Sequence, residues 1–344
     1  DLNFEYEIVE LITLNGSALV GKDAGYADCR NKMGIIIKGD IVRAINENDA
    51  VIISEGKLDD AIHCHSYEIM ESSLKKGKEV ICLADLSNEQ AEYLQKTAQD
   101  SGVTFQYFSN DKFNLESYLN QSGATMYTPI APVIFVGGLV EESNNFEVFL
   151  ALCHKFKAGG YRVCGIGGTK YCEAFNLISK PTILEDRSST NEQKINTINT
   201  MLKDLEYSEK PDIIIIQIPD AMLRFSDIIT NKFGVNAFLI SQAVQPSYFL
   251  CTTMCDMLES EGLKDISNCF SKRFGYPIDC LHVSTLTINP GISMDEHKLC
   301  FFHQDIEYVD KKIEELGAKS TIPVINILDD QQLDIVYENI LNAL

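Results

Sequence analysis

The chain has 344 residues, of which 45% are hydrophobic and 23% charged, and its formal net charge is −21. This length favours two folded domains, and so acidic a surface disfavours nucleic acid and anionic lipid as partners. No run of eighteen apolar residues is present, so no membrane span is predicted. The 11 cysteines are odd in number and several lie in apolar stretches, which favours a reducing compartment, the cytoplasm.

Strand and helix patterns alternate through the first third of the chain. A helix is predicted to begin at Ser87, because Gln90 three residues later completes a capping box. The alternation predicts a parallel sheet with helices on both faces. A Pro- and Gly-bearing linker at 122–132 then sets the predicted domains at residues 1–124 and 125–344. Strands are predicted at 6–14, 34–37, 49–54, 79–84 and 104–108, and another helix at 62–75.

The second domain repeats the alternation with stronger strands, and the run DIIIIQI is apolar on both faces, as expected of a central parallel strand. The predicted fold class is α/β, with two doubly wound, mostly parallel-sheet domains in series, Rossmann-like first and P-loop-like second. The predicted strands are 133–136, 162–166, 212–218, 237–241, 280–286 and 323–328, and the predicted helices are 145–156, 191–205, 247–261, 306–316 and 331–341.

The stretch GGLVEESNNFEVFL, residues 137–150, has the strand, glycine turn and helix of a phosphate-binding loop. When the pattern G-x-x-x-x-G-K-[ST] begins at Gly138, its second glycine becomes Ser143, its lysine Asn144 and its hydroxyl residue Asn145. Without the lysine, the loop is predicted to keep its path but to hold no nucleoside triphosphate, although a small anion could approach the helix N-terminus.

Side chains around this loop are also assigned. Glu141 and Glu142 are predicted to face solvent, since burying an unpaired carboxylate is costly. The helical spacing predicts that Phe146, Phe149, Leu150 and Cys153 pack inward, with Val148 and Leu152 widening the buried face.

A nucleotide-binding enzyme is the alternative, in which Lys170 and Asp220 replace the lost groups; Asp220 could equally cap a turn. No catalytic residue and no metal site are predicted, and Cys251 and Cys255, four apart on the predicted helix 247–261, are assigned to packing. No cofactor is predicted outside this alternative. The candidate cofactor-binding residues are then Gly137, Gly138, Ser143, Asn144, Asn145, Lys170 and Asp220.

Several strings resemble one family. LVGKDAGYADC at 19–29, together with YEIVELIT, GGLVEESNNFEVFLAL, PDIIIIQIPDAM and FGVNAFLISQAV, resembles clostridial peptide maturation system proteins. The resemblance implies a setting beside small cysteine-rich precursor peptides and radical-SAM maturases, and a first domain that lacks one strand and helix. The second domain also looks like the P-loop class that includes dethiobiotin synthetase and metallochaperone-type GTPases, a likeness of fold only.

Within LVGKDAGYADC, the residues Lys22, Asp23, Tyr26 and Asp28 are the candidate recognition loop, although Asp and Gly also simply make turns. The hypothesis is an accessory protein, more readily non-catalytic than enzymatic, that binds the precursor peptide or the maturase. The alternative is a divergent P-loop ATP- or GTP-binding enzyme.

Overall fold

The computed structural model describes residues 6–13, 17–27, 33–54, 60–108, 125–224, 233–259, 262–297 and 299–344. The side chains of residues 26, 27, 60–64 and 170 lie outside this description. The described residues divide into two compact units, one up to residue 108 and one from residue 125. The predicted boundary at 124/125 borders a segment outside the described residues, so its position stays a prediction.

The N-terminal unit is built from parallel strands and helices. Strands β1 and β2 pair in parallel, and β3, β4 and β5 form a second parallel sheet in that order. The Ser87 capping box is confirmed, because Gln90 N–H donates to Ser87 Oγ and the Gln90 side chain accepts from Ser87 N–H. The elements are β1 Leu11–Ile12, α1 Ala24–Ala27, β2 Ile37–Lys38, α2 Ile41–Glu47, β3 Ala50–Ile53, α3 Asp60–Lys75, β4 Glu79–Cys82, α4 Asn88–Ser101 and β5 Phe105–Tyr107.

An ionic cluster joins β1, β2 and α2. The Glu10 carboxylate accepts hydrogen bonds from Lys38 Nζ at 2.9 Å, Arg43 Nη2 at 2.7 Å and Asn48 Nδ2 at 2.7 Å. Bonds from Lys38 and then Arg43 lower the pKa of Glu10 to about 2. The carboxylate is therefore ionised wherever the protein is folded near neutral pH.

The C-terminal unit is centred on a six-stranded parallel sheet of order β13–β10–β9–β6–β8–β7. Alternate residues of β8 enter two different cores, with Ile214 and Ile216 on one face and Ile213 and Ile215 on the other. Both faces are thus covered, as the DIIIIQI run predicts. The elements are β6 Val133–Gly138, α5 Asn145–Ala158, β7 Val163–Ile166, α6 Asn191–Glu209, β8 Ile213–Ala221, α7 Val235–Ala243, β9 Tyr248–Met254, α8 Gly262–Phe274, β10 Cys280–Ser284, β11 Leu286–Ile288, α9 Pro290–Glu296, β12 Phe301–His303, α10 Ile306–Gly317, β13 Val324–Ile325 and α11 Asp330–Ala343.

Two neighbouring assignments from the sequence are wrong. The predicted strand 237–241 lies in helix α7, and the predicted helix 247–261 begins with strand β9. Both runs are short and apolar, so periodicity alone could not distinguish a buried helix from a strand buried on both faces. Cys251 therefore lies on a central strand and shares no helix face with Cys255.

Helices α1, α2, α8 and α9 are absent from the prediction, although α8 carries Leu263, Ile266, Phe270 and Phe274 at helical spacing. Among the helices of the described residues, none combines the length and the hydrophobicity that a membrane span requires.

Candidate functional site

The candidate site lies at the carboxyl ends of the central strands. Strands β7 and β8, which follow β6 in the chain, lie on one side of β6 in the sheet. The later strands β9 and β10 lie on its other side. Open parallel sheets bind ligands at such a switch point, outside the carboxyl ends of the strands. Gly137 and Gly138 end β6, and the loop 139–144 that follows leads into α5.

The loop packs against the end of β9. Ser143, which stands where the pattern has its second glycine, is fully buried. Its hydroxyl donates to the Val140 carbonyl at 2.9 Å and lies 2.6 Å from Thr252 Oγ1. A Cβ atom added at Gly138 would lie 2.5 Å from Ser143 Oγ, so this close approach requires glycine.

Asn144, in the position of the lysine, joins the loop to β10. Its backbone is left-handed, with φ 61°, a conformation that Asn tolerates better than most residues. Its Oδ1 accepts a hydrogen bond from Ser284 Oγ, and Ser284 Oγ accepts one from Leu286 N–H at 3.0 Å. Because Asn144 is buried, its amide points into the protein rather than toward a ligand.

The helix after the loop packs as predicted. Asn145 is the first residue of α5, and Phe149 and Cys153 are fully buried, whereas Phe146 and Leu150 are only partly buried. The widening residues Val148 and Leu152 are fully buried as well. Glu141 and Glu142 are exposed, as expected.

The residues of the nucleotide alternative are only partly brought together. Ala221 pairs with Gly138, so the preceding residue, Asp220, lies close to the start of the loop. However, the Asp220 carboxylate accepts a hydrogen bond from Asn236 Nδ2 on α7 at 2.6 Å. Gln217 Oε1 accepts from Gly168 N–H at 2.7 Å. Lys170 begins a 3₁₀ turn, and its side chain lies outside the described residues.

The candidate recognition loop is built around Asp23. This carboxylate accepts hydrogen bonds from the N–H groups of Gly25 at 2.9 Å, Met33 at 2.9 Å and Gly34 at 2.8 Å. The Lys22 carbonyl accepts from Ile37 N–H at 2.9 Å. Asp23 thus links the chain at Gly25 to the chain at Met33 and Gly34, and its role in recognition stays a prediction. The side chain of Tyr26 and all of Asp28 lie outside the described residues.

Burial raises the thiol pKa of several cysteines in the C-terminal unit and so favours their protonated form. Burial raises the pKa of Cys172 to about 11 and those of Cys164, Cys255 and Cys280 to about 12. A thiol rather than a thiolate is a poor nucleophile and a poor metal ligand. Within the described ranges, no group of three or more His, Cys, Asp and Glu side chains is placed to hold a metal ion.

Two residues of the site were missed by sequence reasoning. Thr252, two residues before the end of β9, and Ser284, the last residue of β10, contact the loop side chains. Hydroxyl residues at the end of an apolar strand, as in LCTTM and LHVST, were the available signal. Because residues 247–261 were predicted to form a helix, Thr252 was not recognised as a residue near the end of a strand.

No family model matches the chain, and no curated protein matches it. Among solved structures, it is similar to a DUF1611 family protein from Anabaena variabilis, with a TM-score of 0.54 and 10% identity, over 96% of this chain and 91% of that one. It also matches the signal recognition particle receptor FtsY from Elizabethkingia anophelis, with a TM-score of 0.28 and 13% identity, over 71% of this chain and 75% of that one. The first likeness concerns the fold, a doubly wound α/β architecture.

Proposed function

We propose that this protein is a non-catalytic, cytoplasmic accessory protein of a ribosomal peptide maturation system, which binds the precursor peptide or the maturase. One observation supports the proposal that the protein is not an enzyme. The loop where a nucleotide phosphate would lie is occupied by its own side chains, Ser143 bonded to Thr252 and Asn144 bonded to Ser284. The resemblance of the strings around residues 19–29 and 137–152 supplies the setting.

Opening this loop for a phosphate is energetically unfavourable. Each buried hydrogen bond that is broken without replacement costs about 1–3 kcal/mol. Glu141 and Glu142 are exposed beside the loop and would each add repulsion of about 1 kcal/mol at 5 Å. The described loop side chains supply no cation to offset these costs.

The divergent ATP- or GTP-binding enzyme is the second candidate. The position of the loop favours it, because the glycine turn follows the strand at the switch point of the sheet. Lys170 would then have to supply the positive charge, and Asp220 would have to leave Asn236 to hold magnesium.

A nucleotide titration separates the two candidates. We expect no change of melting temperature with ATP or GTP and magnesium up to millimolar concentration, and no hydrolysis above background. A variant carrying Asn144→Lys and Asn145→Ser is expected to bind measurably, provided that its circular dichroism spectrum is unchanged. Saturable stabilisation of the unmodified protein would reverse the preference, since a ligand of the folded state raises its stability by mass action.

The accessory role itself is tested by affinity capture of the tagged protein from its native host. We expect a maturase or a small cysteine-rich peptide to be retained. Retention of neither, under conditions in which the protein stays folded, would contradict the role.

A further inference from the structure

A second surface of the C-terminal unit combines an exposed carboxylate with two exposed aromatic side chains. Asp256 follows β9 and is exposed. Phe302 on β12 is 42% exposed and Tyr308 on α10 is 45% exposed. Together with Thr287 and Gln304, these residues are called the Asp256 surface.

Hydrogen bonds show that the members share one face. Thr287 Oγ1 and Gln304 Nε2 donate to Asp256 Oδ2 at 3.0 and 3.4 Å. Tyr308 OH donates to Asp256 Oδ1 at 2.8 Å. Phe302 is the antiparallel partner of Thr287 and stands two residues before Gln304, so its ring projects from the same face of the hairpin.

The three donors fix the carboxylate without neutralising it. All of them are uncharged, and within the described ranges no Lys or Arg nitrogen lies within ion-pairing distance of Asp256. Lys312, one turn along α10 from Tyr308, lies instead 4.0 Å from Glu315. An exposed, oriented anion is therefore available on this surface.

The surrounding sequence is acidic too. Residues 286–316 contain seven Asp and Glu residues against three lysines, Lys298, Lys311 and Lys312. Aromatic faces attract cations through the ring quadrupole, most often arginine. Exposed apolar side chains beside a charge favour a partner that is both basic and apolar.

We propose that the Asp256 surface binds a basic segment of a peptide, with an arginine or lysine on the Asp256 carboxylate and an apolar neighbour against Phe302. This inference rests on the proposed function, because it names the kind of segment that the peptide or maturase would present. It can nevertheless fail alone, because the captured partner could dock elsewhere on the protein.

The test uses a fluorescein-labelled peptide of alternating leucine and arginine, followed by fluorescence anisotropy with the full chain. We expect saturable binding that Asp256→Asn and Phe302→Ala each weaken about three- to five-fold. Phe302→Tyr should restore binding, because it keeps an aromatic ring. Since Asp256 also holds the hairpin, all variants are first compared by thermal melting, and Phe302→Ala tests the surface without removing those bonds.

Matched controls lie on α6. Asp204→Asn removes the same charge from another exposed position, and Tyr207→Ala removes a ring that is 85% exposed. Both are expected to leave the dissociation constant unchanged. Equal weakening by Asp204→Asn would attribute binding to diffuse charge and overturn the proposal. So would equal affinity for the peptide with glutamate in place of arginine, or full binding by Phe302→Ala.

Discussion

Asn144 contributes to the loop both through its backbone conformation and through a buried side-chain hydrogen bond. Its left-handed backbone turns the chain into α5, and its buried amide occupies space beside Ser284. Lysine at this position would lose the bond to Ser284 and would strain the backbone. Asn144, which stands where the phosphate-loop pattern has a lysine, thus stabilises the loop through its bond to Ser284.

Replacing Asn144 by Ala is expected to lower the free energy of unfolding by about 2–3 kcal/mol, from left-handed strain and an unsatisfied Ser284 hydroxyl. Asn144→Gly should cost about 1 kcal/mol less, since glycine tolerates the conformation. Urea denaturation measures both. Asn176, exposed and also left-handed at φ 52°, is the control, and Asn176→Ala should cost only the strain of about 1 kcal/mol. Equal costs at the two sites would mean that the Ser284 bond contributes nothing.

Gly138 is expected to tolerate no side chain. An added Cβ would lie 2.5 Å from Ser143 Oγ and 2.9 Å from Thr252 Oγ1, so Gly138→Ala should destabilise the protein by about 2 kcal/mol and Gly138→Val by more. Gly262→Ala is the comparison, because nothing lies within 4 Å of its added Cβ. A Gly138→Ala variant with unchanged unfolding would show that the loop opens readily.

At the scale of elements, Glu10 joins three of them in the N-terminal unit. Its pKa is lowered from an ordinary 4.5 to about 2 by Lys38 and Arg43. A lowered folded pKa adds stability that is complete above the unfolded pKa and is lost as pH falls through the folded pKa. The contribution of Glu10 should therefore disappear between about pH 4.5 and pH 2.

This pH dependence is tested by urea unfolding of the protein and of Glu10→Gln at pH 5 and pH 3. We expect the protein to be the more stable of the two at pH 5 and the difference to shrink at pH 3. Glu47→Gln is the control, since its exposed carboxylate pairs with Arg43 across one helical turn. A difference that stays constant with pH would show that Glu10 contributes through packing and not through its charge.

At the scale of the whole molecule, we expect the net charge of −21 to affect the rate of association with a basic partner. Exposed charges attract a basic partner over a range that salt shortens, to about 10 Å at 0.1 M. We expect the association rate of the leucine–arginine peptide to fall about ten-fold or more between 50 and 500 mM salt, measured by stopped-flow fluorescence. The uncharged leucine–serine peptide serves as control. A rate independent of salt would indicate that the negative charge contributes to solubility and not to partner binding.

The sequence by itself determined the fold class and most elements. Alternating apolar strands and helices fixed the parallel sheets, and β8 was recognised as central because both of its faces are apolar. The Ser87 cap, the start of α5 and the exposure of Glu141 and Glu142 also followed from local pattern. These features depend on neighbours in the chain, which a sequence displays directly.

Only the tertiary structure decided the remainder. Whether residues 235–254 form strand then helix, or helix then strand, depends on which run pairs with β6, and periodicity in a short apolar segment does not record that. Thr252 and Ser284 lie more than 100 residues from the loop side chains that they bind. Those distant hydroxyls contact the loop side chains because parallel strands bring their carboxyl ends to one edge of the sheet.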